Sequence, residues 1–398
     1  MDYILFDCPK TWNDLLPLTY TRPISDLRVG ITKIKEKWEA ELERKTSVLT
    51  QDYLQVKFPV EITNPDDAIF INASILPYHD MACVIQKLEF GEILTDNDNI
   101  VAFRASYETA KNILEKHDTD GMDELQAALK YDKINFPWDL FLLNGKVLKD
   151  DFNHLTVGRK SEPISETNRV LNAKHIFIEK GARVEMANLN AEEGPIYIGK
   201  DAEIMENATI RGPFAILEHG AVKMSAKIYG PTTIGPYSKV GGELNNVVIQ
   251  GYSSKAHDGF LGNAVLGEWC NLGADTNNSN LKNNYAPVKM WNYTAERFLQ
   301  TGLQFCGLVM GDHSKCGINT MFNTGTVVGV SANIFGSGFP RNFIPSYSWG
   351  GASGFTEYNL KKVFEVADIV MHRRDLSLTD ADKSILTEVF ERTRKYRK

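Results

Sequence analysis

The sequence predicts an α/β layer domain, then a parallel β-helix, with helices at the C-terminal end. Three observations carry this. Ile198, Ile204, Ile210, Ile216, Val222, Ile228, Ile234 and Val240 recur at intervals of six. The segment before about residue 160 alternates strand-like and helix-like runs, and the segment after about 353 returns to helical spacing. If a position is Ile, Leu or Val about one time in four, eight such hits are on the order of one in ten thousand or rarer.

A period of six fits neither a helix at 3.6 residues nor a strand alternation at 2. It fits a three-sided coil whose sides are short strands and whose corners are turns, with the aliphatic residue pointing inward. Gly199, Asp201, Asn207, Gly212, Pro213, Gly220, Gly230 and Gly235 supply the corner chemistry between the aliphatic positions. The period returns at Cys316, Phe322, Val328 and Ile334. It breaks between these runs: Asn246 takes the next aliphatic position, and residues 281–303 are too aromatic and charged to continue a coil. That stretch is expected to leave the solenoid as a loop or hairpin, either functional or merely covering an edge.

At the N-terminal end, "YILFD" and "DAIFINASIL" are expected as buried strands, and Ile31, Ile34, Trp38 and Leu42 lie at helical spacing. Near the C-terminus, Lys361 to Arg374 and Asp380 to Tyr396 are expected as helices that cap the open end of the solenoid. The expected divisions are 1–165, 166–352 and 353–398.

A net charge of −7 argues against nucleic acid as a partner, so phosphate-bearing ligands must be met by local Lys or Arg clusters. The cysteines Cys8, Cys83, Cys270, Cys306 and Cys316 show no CxxC pair, which points to reduced thiols rather than a disulfide framework or zinc site. With no leader-like or membrane-length apolar run, a soluble cytoplasmic protein is expected.

His257 lies where the period fails, in "KAHDGFLGNAVLGEWCNLGADTNNSN". This segment resembles the acetyltransferase domain of the GlmU family, which joins N-acetylglucosamine-1-phosphate uridyltransferase and glucosamine-1-phosphate acetyltransferase. The resemblance implies a left-handed β-helix and a homotrimer. Position by position, it makes His257 the general base, with Phe260 (at the family's Tyr) and Asn271 contacting the sugar and Ala274 and Asn280 beside acetyl-CoA. The chemistry suits the assignment, because only a neutral amine attacks a thioester and a base titrating near neutrality can remove its proton. At the family's phosphate-binding Lys stands Asn245; Lys227, Lys239, Lys282 and Lys289 are the alternative sources of positive charge.

The N-terminal half resembles a divergent, Rossmann-like sugar nucleotidyltransferase domain through Arg22, Pro23, Asp26, Leu27, Arg28 and Gly30 and through "FPWDLFLLNG". It lacks the family's Gly-rich phosphate loop, and Asn72 and Ser74 stand where a metal-binding Asp is expected. The resemblance implies UTP or another nucleoside triphosphate held by Arg22, Asp26 and Arg28. Mg²⁺ is implied only if this half is active, and no metal ligands are assigned. The expected function is acetylation of an amino-sugar phosphate, coupled to formation of a UDP-sugar in UDP-N-acetylglucosamine and cell-envelope synthesis. Three other readings stand beside it: nucleotidyl transfer alone, a nucleotide-sensing assembly protein, and a zinc hydratase, the last disfavoured because no two histidines lie about five residues apart.

Overall fold

The apolar run after Met1 becomes the first strand, and its neighbours follow from the same pattern of short buried runs. In the computed structural model, which describes residues 1–397 apart from 98, 117, 128 and 129, the chain forms two units. One comprises Met1–Leu15, Thr21–Leu27 and Thr32–Phe136; the other comprises Leu16–Tyr20, Arg28–Ile31 and Pro137–Lys398.

The first unit is built on a six-stranded sheet of β1 (Asp2–Phe6), β2 (Thr46–Leu49), β3 (Ala68–Asn72), β4 (Glu92–Asp96), β5 (Asn99–Ala105) and β6 (Asp123–Gln126), in the order β2-β1-β3-β5-β4-β6. β1 runs parallel to β2 and β3, and β5 antiparallel to β3 and β4. β1 and β3 are buried on both faces, as strands flanked by helices must be. On one face Ile4, Phe6, Phe70 and Phe103 pack together, the last two stacked at 5.0 Å. The helices are α1 (Pro9–Asp14), α2 (Ile34–Leu42), α3 (His79–Ile85) and α4 (Tyr107–Lys116). The buried Trp38 of α2 donates its indole N–H to the Ile75 carbonyl at 2.9 Å.

The second unit is a parallel β-helix with strands from Arg169–Leu171 to Ser348–Gly351. All eight aliphatic residues of the first period and all four of the second lie in one buried core, as the inward positions of the coils. Register shows the coil length. Glu203, Ala221 and Lys239 are partners on successive coils at the regular spacing of eighteen, as are Lys315 and Asn333. Between these runs Lys239 pairs with Ser254, Ser254 with Asn271, and Asn271 with Lys315. The coil is thus first shortened and then interrupted by residues 281–307, which form a hairpin of Lys289–Asn292 and Arg297–Gln300. Asn246 is no core residue: it turns a corner at φ +57°.

One corner is a ladder of aromatic residues, each in left-handed backbone. His219, Tyr237, Tyr252, Trp269 and His313 stack at successive centroid distances of 4.6, 5.3, 4.3 and 6.2 Å. Corner strain at non-glycine residues is thereby offset by ring packing.

α5 (Asp139–Thr156) lies on the outside of the β-helix, with Leu148 and Phe152 against Phe177, Ala215 and Leu217. Its buried Asn144 accepts from Gly30 N at 2.8 Å and donates to the Pro231 carbonyl at 3.2 Å. α6 (Leu360–His372) and α7 (Asp380–Arg392) close the C-terminal end. Tyr347, fully buried at the last coil, donates to the Leu386 carbonyl of α7 at 2.6 Å and packs edge-on against Phe390. The architecture is therefore the expected one: an α/β sheet domain, a parallel β-helix and terminal helices. No helix among the described residues is long and apolar enough to cross a membrane. None of the five cysteines is disulfide-bonded.

Candidate active site

Counting on from Val240, the inward slot of the shortened coil is filled by Lys255, paired in register with Val240. Lys255 is 1% exposed, and burial lowers its ammonium from the usual lysine range to about 8. Its Nζ donates to the main-chain carbonyls of His257 at 2.5 Å and Asp258 at 3.1 Å. A buried cation keeps its charge only with such partners. The consequence is a turn at 257–259 gripped from inside the coil, with the His257 side chain exposed outside it.

Beyond that corner, Lys227, Glu243 and Phe260 form one register column on the following side of the helix, with the inward residues Ile228, Leu244 and Leu261 alternating. Asn277 continues the column by accepting the Phe260 N–H at 2.8 Å. Asn245 pairs with Gly262 on this side, and a Cβ added at Gly262 would meet the Phe260 ring at 2.4 Å and Asn280 Nδ2 at 2.8 Å. Phe260, Asn280 and the backbone at Gly262 are thus gathered closely. Ala274 sits at the corner one coil after His257, where the next residue, Asp275, bonds through its N–H to the Asp258 carbonyl.

Lys227 and Lys239 part company. Lys227 lies on the Phe260 side and is paired with Glu243 at 3.2 Å. Lys239 and Asn271 lie on the side before the His257 corner, both in register with Ser254. The Lys239 ammonium is held below its usual range, first by burial and then by neighbouring Arg374, Lys223 and Arg373. Lys223 belongs to this corner: its Cβ is 3.2 Å from where a Cβ on Gly241 would stand, and Gly241 abuts the Ala256 carbonyl. Sequence reasoning did not single out Lys223, Arg373, Arg374 or Lys255. The arginines follow α6, too far along the chain for any motif, while Lys255 was missed because a strict count of six loses register in the shortened coil.

In the first unit the strand ends carry the polar groups. Asp7, just past β1, is buried, accepts from Thr50 Oγ1 at 2.6 Å and Ile24 N at 3.0 Å, and is pushed by burial up to about 7. Arg22 is buried and lies 3.6 Å from Asp26, which also takes Lys33 at 2.7 Å. Arg28 falls in the second unit, where its guanidinium donates to the Ile31 carbonyl at 2.5 Å and the Gln250 carbonyl at 3.4 Å. Asn72 and Ser74 bond to each other at 2.7 Å. Among the described residues no group of three or more His, Cys, Asp or Glu could hold a metal ion. A Mg²⁺ here would have to rest chiefly on nucleotide phosphates.

Residues 3–160 match the family model described as "Sugar nucleotidyl transferase". The chain is 29% identical over 118 residues to the bifunctional protein GlmU of Methanocaldococcus jannaschii, covering 30% of this chain and 26% of that protein. Over part of its length the chain is therefore similar to GlmU. Other relatives agree with that reading. A bifunctional sugar-1-phosphate nucleotidylyltransferase/acetyltransferase of Sulfurisphaera tokodaii is 27% identical over 145 residues, 36% of each chain. An uncharacterized acetyltransferase of Escherichia coli, YaiX, is 26% identical over 161 residues, 40% of this chain and 67% of that one. The match thus spans about a quarter of the Methanocaldococcus relative and about a third of the Sulfurisphaera one. By their names these relatives are acetyltransferases and sugar-1-phosphate nucleotidylyltransferases.

Proposed function

We propose that this GlmU-like protein transfers an acetyl group from acetyl-CoA to the amine of an amino-sugar phosphate, glucosamine 1-phosphate first among them, with His257 as general base. The observation that carries the reading is the broken coil: Lys255 replaces an inward aliphatic residue and grips the carbonyls of His257 and Asp258, presenting the imidazole at an outer corner. Phe260, Asn280 and Ala274 lie around that corner, and Asn271 with Lys239 on its other side.

In the reaction the imidazole of His257 removes a proton from the substrate ammonium or from the attacking amine. The amine nitrogen forms a bond to the thioester carbonyl carbon, the carbon–sulfur bond breaks, and the thiolate leaves and takes a proton. The Phe260 ring offers the sugar an apolar face, and Asn271 and Asn280 offer amides to hydroxyl or carbonyl groups. Lys239, with Lys223, Arg373 and Arg374 nearby, supplies the positive charge that Asn245 lacks, so the sugar phosphate is assigned to that side of the corner. Met224 and Ile318, 65% and 68% exposed, stand one residue before the left-handed corner residues Ser225 and Asn319. Apolar side chains left in water there support a homotrimer whose subunits meet near His257.

The first unit is assigned nucleotidyl transfer from UTP to a sugar 1-phosphate, with Arg22 and Asp26 facing the phosphates and Arg28 at most an indirect support. No step is routed through Mg²⁺. A second reading, in which this unit no longer transfers nucleotides, is favoured by the commitment of Asn72 and Ser74 to each other. Both activities use cytoplasmic substrates. The test is thiol release from acetyl-CoA with glucosamine 1-phosphate and other amino-sugar phosphates, beside pyrophosphate release from UTP. Turnover in the first assay alone selects the second reading; silence in both rejects the proposal.

A further inference from the structure

The ejected hairpin is held differently at its stem and at its tip. At the stem Leu281 and Phe305 form an antiparallel bridge, the Cys306 N–H donates to the Asn280 carbonyl at 2.8 Å, and the Asn280 side chain donates to Asn263 Oδ1 at 2.8 Å. The inner strand is seated on the coil. Val288 and Met290 are buried, and a Cβ added at Gly325 would come within 2.2 Å of the Lys289 carbonyl. The outer strand Arg297–Gln300 is mostly exposed and rests on the inner one through paired backbone and the Trp291–Phe298 contact at 5.5 Å. A two-stranded ribbon is marginal in water unless something else holds it.

The chain that follows α7 supplies that hold. The Tyr396 ring stands edge-on to three others, Trp291 and Tyr293 of the hairpin at 6.3 and 5.5 Å and Phe343 of the last coils at 5.7 Å. Such ring pairs are favourable beyond the area they bury. At the tip Glu296 takes left-handed backbone, φ +48°, and its carboxylate accepts from the Tyr396 hydroxyl at 3.2 Å and pairs with the Lys395 ammonium. The next residue fixes this turn to the C-terminal helices. The Arg397 side chain is 3% exposed and donates to the Phe390 carbonyl at 2.8 Å, Thr393 Oγ1 at 2.8 Å and the Glu357 carboxylate at 3.0 Å. Its guanidinium also lies 4.2 Å from the Phe390 ring centre.

We infer that residues 394–397 form a strap that holds the tip and outer strand of the hairpin, with Tyr396 as its positioning residue, and that the strap acts on the site through Asn280. The link to the reaction rests on the function proposed above. A hairpin released at its tip passes its motion to the stem, because the outer strand runs into Cys306 and Gly307, whose N–H groups hold the Asn280 and Asn263 carbonyls. Asn280 lies close to Phe260 across Gly262. Its amide then loses a fixed place, while the His257 turn, gripped separately by Lys255, keeps its own. Substrate binding is weakened more than proton transfer.

The test is hydrogen–deuterium exchange of the full chain, read peptide by peptide, beside acetyl-transfer kinetics. The proteins are the wild type, Tyr396→Ala, Tyr396→Phe and Glu296→Ala, with melting curves to show that each is folded. In Tyr396→Ala, exchange over residues 297–305 is expected to quicken about tenfold or more while the coils before residue 270 are unchanged. KM for acetyl-CoA is expected to rise about tenfold with kcat within about twofold of the wild type. Tyr396→Phe keeps the ring and should restore both, and Glu296→Ala, at the exposed tip, should quicken exchange of the same peptides by less. Unchanged hairpin exchange in folded Tyr396→Ala overturns the inference, as does a rise spread equally over α6, α7 and the hairpin, the mark of a merely structural role. Quickened hairpin exchange with KM and kcat unmoved also overturns it. If Tyr396→Ala fails to fold, Glu296→Ala decides by the same readings. A wild type without turnover removes the acetyltransferase reading, and the strap then stands or falls on hairpin exchange alone.

Discussion

Lys255 is the residue on which the site turns. At the equivalent places in neighbouring coils stand Val240, Leu272 and Cys316, so a lysine here is a poor choice for packing and a useful one for gripping the His257 turn. Its ammonium, pulled to about 8 in the fold against about 10.4 when unfolded, costs stability fully below pH 8. That cost is relieved as pH rises from 8 toward 10.4, because there the unfolded chain binds more protons than the folded one. Lys255→Met is therefore expected to raise unfolding free energy at pH 7 by on the order of 2 kcal/mol, with the gain shrinking between pH 8 and 10 in urea titrations. The same variant should lower kcat about ten- to a hundredfold through loss of positioning, with KM little changed. The break in the coil near His257 was legible in the sequence, since a strong period fails just before it. Lys255 was not, because its inward direction depends on a three-residue shortening that only strand register reveals.

Coils, corners and helices differ in how openly the sequence declares them. The inward aliphatic residues were legible because burial repeats with the coil, and residues 281–303 because their composition forbids an inward slot. The aromatic corner was not, since His219, Tyr237, Tyr252, Trp269 and His313 are spaced unevenly once the coil shortens. The long helix α5 was seen only as a family-like segment at its start; its packing depends on Gly30, which lies far from it in sequence. Gly30 has φ +72°, and a Cβ there would come within 2.5 Å of Asp151 Oδ2 and 2.7 Å of Val147 Cγ1. Gly30→Ala should thus cost on the order of 2–4 kcal/mol, read as a lower unfolding midpoint of the β-helix unit. An unchanged midpoint would mean that this segment does not contribute to the stability of α5 against the coils.

At the scale of the whole molecule, the proposed function joins two transfer chemistries in one chain and requires three chains to assemble. The exposed Met224 and Ile318 offer a direct handle on assembly. The double variant Met224→Glu/Ile318→Glu is expected to run as a monomer in light scattering where the wild type runs as a trimer, and to lose acetyl transfer with it, because the corner near His257 is then left open to water. A trimer that survives both substitutions would place the contact elsewhere. Whether His257 is the base of acetyl transfer is read from the rate of thiol release from acetyl-CoA in the presence of glucosamine 1-phosphate, measured for the wild type and for His257→Ala at matched folding. Turnover by the wild type and a fall of about a hundredfold or more in the variant are expected, with the melting temperature unchanged. Equal rates in the two proteins, or none in a folded wild type on any amino-sugar phosphate, would contradict this role of His257.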